Sequence, residues 1–227
     1  MKNKVNLINH LLGGITLKVL LVNGSPNQYG CTNRALEEIA NTLKEESIDS
    51  EIFWIGKKPI SGCISCYKCE EIGTCIFKDA LADFIPKAHE ADGFIFGSPV
   101  HYASAGGAIS ALLDRAFFSE MLGSDDNAFY LKPAAAIVSA RRAGTTAALD
   151  QLNKYFTIQE MPVISSCYWN MVHGNTPEEV EQDKEGLMVM RTLARNMAWF
   201  LRLKETGIKA GIPFPQKEEA VATNFIR

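Results

Sequence analysis

The chain has 227 residues, a formal net charge of −3 and a hydrophobic fraction of 47%. This length is sufficient for one domain with a sizeable core, and the composition is that of an ordinary globular protein. Because the net charge is close to zero, we expect neither a nucleic-acid partner nor binding to an anionic membrane.

The composition divides the chain into three parts. Residues 1–16 hold a weak apolar segment that lacks a small-residue cleavage site and is too short to span a bilayer, which predicts an N-terminal arm of a cytoplasmic protein. Residues 17–205 form the predicted domain, with a cysteine-rich insertion at 61–78. Residues 206–227 contain Gly and Pro with little periodicity and predict a C-terminal arm.

The first predicted strand, Lys18 to Asn23, is apolar and shows no helical periodicity. Gly24-Ser25-Pro26 ends it, and apolar residues at helical spacing predict a helix that begins near Thr32 or Asn33. A strand, a Gly/Ser-rich loop and a helix N-terminus in this order make an anion site, since loop amides and the helix dipole favour negative charge. The residues expected to contact the anion are Ser25, Asn27, Cys31, Thr32 and Asn33.

This loop lacks the two common nucleotide-binding patterns. A nucleoside-triphosphate loop requires G-x-x-x-x-G-K-[ST], but five residues separate Gly24 from Gly30, and Cys31 stands at the lysine position. The dinucleotide pattern G-x-G-x-x-G is also missing from the loop. Hydroxyl and amide groups without a lysine suit a monoester phosphate, as in flavin mononucleotide (FMN). The simpler alternative is a strand-to-helix turn with a Thr or Asn cap.

After an edge strand predicted at Asp49 to Ile55, four cysteines follow with the spacing C-x2-C-x2-C-x5-C. They are Cys63, Cys66, Cys69 and Cys75. Such compact spacing suits a 4Fe–4S cluster, whereas zinc usually takes two C-x2-C pairs separated by a longer loop. Clustered cysteines in a cytosolic protein also favour metal or redox chemistry over a disulfide scaffold. Three alternatives stay open: a 4Fe–4S cluster, an empty or disulfide-bonded loop, and zinc.

The next predicted strand, Gly93 to Pro99, ends in Gly-Ser-Pro like the first. It follows a helix that Asp79 should cap and that Pro86 should kink or shorten. In an open α/β sheet, ligands bind where the strand order reverses, which in the order 2-1-3-4-5 lies between the first and third strands. One loop would hold the phosphate, and the other would lie against a flat ring. The predicted ring contacts are Ser98, Pro99, Val100, His101 and Tyr102.

The rest of the chain continues to alternate helix and strand. A helix carries Ile109 to Phe117 on one face, and we expect its Arg115 either in a surface ion pair or against a ligand. Leu131 to Val138 predicts a fourth strand, and Pro162 to Cys167 a fifth, with Cys167 as a buried thiol. The loop after the fourth strand should reach the flavin through Ser139, Arg141, Arg142 and Gly144; the alternative for Arg141 and Arg142 is that both are solvated.

Together these elements predict an α/β fold. The alternation indicates a doubly wound, five-stranded parallel sheet with the order 2-1-3-4-5 and helices on both faces. The aromatic segment Tyr168 to Gly174 comes just past the fifth strand. We expect it either to wall the flavin, in this subunit or a neighbouring one, or to pack as a structural loop.

Two stretches, GSPNQYGCTN and GSPVHYASAGGAISALLDR, resemble the flavodoxin-like, NADPH-dependent FMN reductase family. Together with the cysteine cluster they are most similar to its iron–sulfur flavoprotein branch, and the resemblance covers Leu17 to Leu203. It implies FMN as cofactor, NAD(P)H as co-substrate, a 4Fe–4S cluster on the four cysteines, and a homodimer or homotetramer. Two positions depart from the family pattern: Cys31 replaces the usual Asn before Thr32, and His101 replaces the usual Tyr.

The resemblance implies an oxidoreductase. Electrons from NAD(P)H would pass through FMN to a flavin, a quinone or another small acceptor, or through the cluster to a redox protein. We expect no general acid or nucleophile, because the cofactor carries the chemistry. The alternative is an electron carrier of flavodoxin type without its own substrate, which the near-neutral charge and the extra loops disfavour. A thiol-based or cluster-based redox sensor is a third possibility.

Overall fold

The structure is a computed structural model that describes residues 17–219, 221–223 and 225, so the predicted arm at 1–16 lies outside the described residues. Strands and helices alternate along the chain as the sequence predicts. The strands are β1 (Lys18–Asn23), β2 (Asp49–Trp54), β3 (Gly93–His101), β4 (Ser104–Ala105), β5 (Ala134–Ala140) and β6 (Met171–His173). The helices are α1 (Cys31–Glu45), α2 (Lys68–Ile72), α3 (Ala80–Glu90), α4 (Gly107–Gly123), α5 (Thr145–Ile158), α6 (Pro177–Val180) and α7 (Lys184–Lys209).

One sheet lies at the centre of the molecule. Its strands follow the order β2-β1-β3-β5-β6, and each of these neighbouring pairs is parallel. The short β4 turns back on the end of β3 as an antiparallel partner. The predicted α/β class and the order of the five parallel strands are therefore confirmed, and β4 is an addition that the sequence does not reveal.

β1 shows how the two faces of the sheet are buried. Because successive side chains of a strand point to opposite faces, Leu20 and Val22 enter one core and Val19 and Leu21 enter the other. Helices α3, α4 and α5 cover the first face, and α1, α6 and α7 cover the second. Burial on both faces explains why the parallel strands read as continuous apolar runs.

The fifth strand is the one element that the sequence places wrongly. It predicts a strand over Pro162 to Cys167, but within this range only Val163 pairs with β5, through an isolated bridge to Ala134. Strand pairing resumes in β6. Between the two, the Asn170 side-chain Nδ2 donates to the carbonyl of Ala136 at 3.0 Å. A side-chain amide thus takes the place of a backbone donor, and residues 165–169 lie outside the ladder.

Of the two features predicted for α3, the cap by Asp79 is present, whereas the helix is not shortened at Pro86. Asp79 caps the helix, because its Oδ1 accepts the N–H of Leu81 at 3.1 Å. Pro86 lies inside the helix but does not shorten it, and α3 continues to Glu90. Phe84 and Ala88, on either side of the proline, are both buried in the core. Packing of this face therefore outweighs the hydrogen bond that proline cannot donate.

α7 is 26 residues long and amphipathic. The apolar side chains along one side are buried against the second face of the sheet; they are Leu187, Met190, Leu193, Met197 and Leu201. Its opposite side carries charged residues such as Arg195 and Arg202. Within the described ranges, none of the helices combines the length and the hydropathy that a membrane span requires.

Candidate functional site

The two Gly-Ser-Pro segments meet at the carboxyl ends of β1 and β3. These strands are neighbours, and the N–H of Gly24 donates to the carbonyl of Gly97 at 2.9 Å. A Cβ on Gly24 would lie 2.6 Å from Cδ1 of Ile109 and 2.8 Å from the Gly97 oxygen. Only glycine allows this close approach, and the two loops therefore begin side by side, as expected for the point where the strand order reverses.

The loop after β1 is held in shape by its own hydrogen bonds. The Ser25 N–H donates to Oδ1 of Asn23 at 3.0 Å, and the Ser25 hydroxyl accepts the N–H of Asn27 at 3.1 Å. From β2, the Trp54 indole N–H donates to the Ser25 carbonyl at 2.8 Å. The Asn27 side chain is exposed, whereas Ser25 is buried. Contacts within the protein therefore fix the shape of this loop.

α1 begins directly after this loop. Its N-cap is Gly30, which provides no side-chain hydrogen bond to the first turn. The first N–H groups of a helix have no intrahelical partner, and no acidic residue occupies this first turn. The helix N-terminus thus presents backbone donors and the positive end of its dipole, which is the arrangement that binds phosphate groups.

The predicted side-chain ligands on α1 are already hydrogen-bonded within the protein. The hydroxyls of Thr32 and Ser139, both buried, lie 2.8 Å apart and share a hydrogen bond between the first and third loops. The Asn33 amide donates to Glu37 Oε1 at 2.7 Å and accepts from Asn23 at 3.2 Å. Thr32 and Asn33 therefore fix the position of the α1 N-terminus, and Thr32 also joins it to β5.

Cys31 is turned toward a different part of the molecule. Its thiol donates to the carbonyl of Gly174, at 3.5 Å, in the loop that follows β6. Burial raises the pKa of this thiol, so that it is protonated at neutral pH. At this position, where the family usually has Asn, the side chain therefore contacts the loop after β6.

The predicted ring loop after β3 is a hairpin. Ser98, fully buried, accepts the N–H of Gly106 at 2.8 Å and so fixes the start of α4. Val100 and His101 pair with Ala105 and Ser104 of β4. The two residues at the tip have positive φ, 50° for Tyr102 and 57° for Ala103, and the Tyr102 side chain is fully exposed. The tight turn holds the phenol outside the protein body, where it is available to a ligand.

The third loop, after β5, closes against this hairpin. Gly144 has φ of 92°, and a Cβ on it would lie 2.7 Å from Cα of Ala103. Arg141 and Arg142 are exposed at the mouth of the three loops, whereas Ser139 is buried. The structure therefore brings the residues predicted from three separate loops to one edge of the sheet.

The four clustered cysteines surround one pocket beside α4. Its lining includes the apolar side chains of Ile64, Tyr67, Phe77 and Phe118. Cys63 and Cys66 are exposed, Cys75 is half-buried and Cys69 is buried, and all four are free thiols. Burial raises the pKa of Cys69. Across the described part of the chain, no three His, Cys, Asp or Glu side chains form a group that could hold a metal ion.

Arg115 lies beneath this pocket and lines it together with the four cysteines. It is 2% exposed, so the expected surface ion pair is wrong. Instead its guanidinium donates two hydrogen bonds to Asp79, at 2.7 and 2.9 Å, and holds the pKa of that carboxyl below its usual range. Arg115 ends the LLDR part of the second family-like stretch, which distinguishes it in the sequence. Helical periodicity alone, however, cannot show that its charge is buried.

The segment after the displaced strand also differs from expectation. Cys167, predicted as a buried thiol, is exposed. Tyr168 and Trp169 are both more than half exposed and pack edge to face, with ring centroids 4.8 Å apart. The Asp183 carboxylate accepts the backbone N–H of His173 at 2.7 Å and anchors the end of β6 on α7. Both rings therefore lie at the protein surface and outside the two hydrophobic cores.

Comparison with known proteins agrees with this geometry. The sequence model of the NADPH-dependent FMN reductase family matches residues 17–176. An iron–sulfur flavoprotein of Methanocaldococcus jannaschii is 29% identical over 196 residues, which is 82% of this chain and 98% of the relative. A second iron–sulfur flavoprotein of that organism is 30% identical over 187 residues, covering 77% and 92%.

A solved structure supports the fold independently. RosB, determined with bound 8-demethyl-8-formylriboflavin-5'-phosphate, superposes with a TM-score of 0.67 at 14% identity and covers 93% of each chain. At this identity the likeness concerns the fold alone. The match to the family model covers most of the chain, and it includes the loop after β1, the cysteine segment and the hairpin after β3. The chain therefore belongs to the NADPH-dependent FMN reductase family, in its iron–sulfur flavoprotein branch.

Proposed function

We propose that this protein is an FMN-dependent oxidoreductase that takes electrons from NAD(P)H. It passes them to a flavin, a quinone or another small acceptor, or through a 4Fe–4S cluster to a redox protein. The observation that carries the proposal is the convergence of three loops at the ends of β1, β3 and β5, beside a helix N-terminus without a side-chain cap. Membership of the FMN reductase family supports the same chemistry.

The residues at this edge fit FMN. Its phosphate would lie against the N-terminus of α1 and the loop that Ser25 and Thr32 stabilise, where the donors are uncharged and the helix dipole supplies the attraction. Its ring would lie against the hairpin of His101 and Tyr102, with Arg141 or Arg142 beside the pyrimidine edge or the phosphates of the nicotinamide cofactor. Gly24 and Gly144 leave room for these loops to approach each other.

The protein contributes position and electrostatics to this reaction. Bound FMN would supply two-electron and one-electron chemistry, and no side chain of the three loops has to act as a nucleophile or a general acid. The preformed loop after β1 orients the phosphate end, while the buried Thr32–Ser139 hydrogen bond holds α1 and β5 together. The exposed Tyr102 would shield one side of the ring from water.

The four cysteines are proposed to hold the cluster. Thiolate sulfur is the ligand that iron–sulfur sites use, and the four side chains surround one pocket with apolar walls. A cubane cluster takes one thiolate on each of four irons, and the compact C-x2-C-x2-C-x5-C spacing suits it better than it suits zinc. We further propose a homodimer or homotetramer.

The experiment that tests the proposal is a titration of the FMN-free protein with FMN. In the double variant Ser25→Ala/Thr32→Ala we expect FMN affinity to fall by about tenfold or more, because a hydrogen bond to a charged group contributes about 1.5–3 kcal/mol. Thr42→Ala is the matched control, since Thr42 is a buried threonine at the far end of α1 that bonds to Glu38 O. Equal FMN affinity in the double variant and the control would refute the phosphate site.

Steady-state oxidation of NADH and NADPH then separates an oxidoreductase from a carrier. An enzyme with its own nicotinamide site oxidises one of them in the presence of a flavin or quinone acceptor. A flavodoxin-type carrier shows no turnover without a partner reductase. Iron and sulfide assays on anaerobically purified protein test the cluster, for which the four-cysteine motif predicts about four irons per chain.

A further inference from the structure

Arg115 is almost completely buried, although it lies beside an exposed cysteine segment. A buried guanidinium requires an opposite charge and acceptors for its N–H groups. Asp79 provides the charge through two parallel hydrogen bonds, Nη1 to Oδ2 at 2.7 Å and Nη2 to Oδ1 at 2.9 Å. This bidentate geometry is specific to arginine, because a lysine ammonium cannot reproduce the planar fork.

The remaining donors of Arg115 contact both ends of the cysteine segment. Nη1 also donates to the carbonyl of Ser61, at 3.0 Å, just before the first cysteine of the motif. Nε donates to Sγ of Cys75, the last cysteine, at 3.3 Å. The guanidinium carbon lies 5.0 Å from the centre of the Phe77 ring. The buried Arg115 side chain therefore connects the beginning and the end of the cysteine segment.

We propose that Arg115 is a positioning residue for the cysteine segment, which holds Cys75 in place as a ligand and offsets the negative charge of the four thiolates. The proposal rests on the cluster of the proposed function. A hydrogen bond from a cation to a ligand sulfur favours the more negative, reduced state of an iron–sulfur site. Arg115 would therefore raise the potential at which the site accepts one electron.

Two substitutions separate the charge of Arg115 from its geometry. Arg115→Lys keeps a positive charge but cannot serve Asp79, Ser61 and Cys75 at the same time. Arg115→Met removes the charge and leaves Asp79 without its cation. Arg191→Met is the control, because it removes an arginine–carboxylate pair that joins α7 to α1 and does not touch the cysteine segment.

The first measurement is hydrogen exchange on the iron-free, reduced protein. In Arg115→Lys we expect amides of residues 61–79 to exchange about tenfold faster than in the wild type, because the loop opens more often once its base is released. Amides of β1 and β3 should keep their wild-type rates, and Arg191→Met should leave residues 61–79 unchanged. Wild-type exchange rates in residues 61–79 of Arg115→Lys would overturn the positioning role.

The second measurement is a redox titration of the iron-reconstituted protein, followed by the electron paramagnetic resonance signal of the reduced cluster. We expect the potential to fall in Arg115→Lys and to fall further in Arg115→Met, while the flavin potential stays at its wild-type value. An unchanged cluster potential in both variants would overturn the charge compensation. If the wild type takes up no iron and sulfide, the proposed cluster fails, and the exchange measurement still decides whether Arg115 positions the segment.

Discussion

Gly97 is the residue whose substitution tests the phosphate site most directly. It lies in β3 beneath the first turn of α1, and a Cβ on it would lie 2.8 Å from Cγ2 of Thr32 and 3.2 Å from Cδ1 of Leu36. Carbon atoms pack best at about 3.5–4.0 Å, so the methyl group of Gly97→Ala lacks about 0.7 Å of space. Thr32 is β-branched and hydrogen-bonded to Ser139, and it cannot easily rotate away.

The N-terminus of α1 must therefore move away from the sheet in this variant. Overpacking of this kind costs about 1–3 kcal/mol of folding free energy. The binding of FMN is affected separately: if the displaced helix amides lose one hydrogen bond to the FMN phosphate, FMN affinity falls by a factor of about ten to one hundred. Flavin fluorescence quenching measures the affinity, and urea unfolding of the FMN-free protein measures the stability.

Gly107→Ala is the matched control for this prediction. Gly107 is the first residue of α4, and a Cβ on it would meet no atom within 4 Å. Alanine there should leave both FMN affinity and stability at or slightly above wild type, since alanine is the better helix former. Wild-type FMN affinity in a destabilised Gly97→Ala protein would show that the α1 N-terminus does not bind the phosphate, and the proposed site would then be wrong.

Two further substitutions test other parts of the structure. A Cβ on Gly123 would lie 2.1 Å from the carbonyl oxygen of Cys69, so Gly123→Ala should displace α2 and speed proteolysis of the cysteine segment. Gly62→Ala is the control and should leave the proteolysis rate unchanged, because a Cβ on Gly62 would meet no atom within 4 Å. Burial lowers the pKa of Lys132 to about 8, so between about pH 8 and 10.5 the unfolded chain holds a proton that the folded protein has lost, and stability rises with pH. From pH 7 to pH 10 this contributes roughly 2–3 kcal/mol in urea titrations of the wild type, and Lys132→Met should lack that increase.

The order of the parallel strands and the meeting of the three loops could be predicted from the sequence. Both depend on local signals, namely apolar runs, helical periodicity and the repeated Gly-Ser-Pro segments. The fifth strand could not be placed, because the Asn170 side chain substitutes for a ladder donor and the sequence shows no local sign of this. The hairpin at Tyr102 and Ala103 was equally hidden, since both residues adopt the left-handed conformation that usually indicates glycine or asparagine.

The burial of Arg115 could not be predicted, for a different reason. Its partners Ser61 and Cys75 lie in the insertion and Asp79 directly follows it, all far away in sequence, so no helical pattern on α4 could reveal them. A charged residue on a helix is normally exposed, and a buried charge requires an opposite charge and hydrogen-bond partners that helical periodicity does not reveal. Long-range polar contacts of this kind become visible only when the fold has brought the elements together.

The structure also shows that α4 links the two chemical features of the protein. Its first turn is fixed to the ring loop by the hydrogen bond from Gly106 to Ser98, its middle holds Arg115 under the cysteines, and its last residue, Gly123, lies against α2. A helix rises 1.5 Å per residue, so the levels of Gly106 and Arg115 lie about 13 Å apart along its axis. The spacing between the hairpin after β3 and the cysteine pocket is therefore set by a buried helix rather than by a flexible linker. If FMN and a cluster bind as proposed, this helix would hold them at a fixed separation, which is what electron transfer between two cofactors within one fold would require.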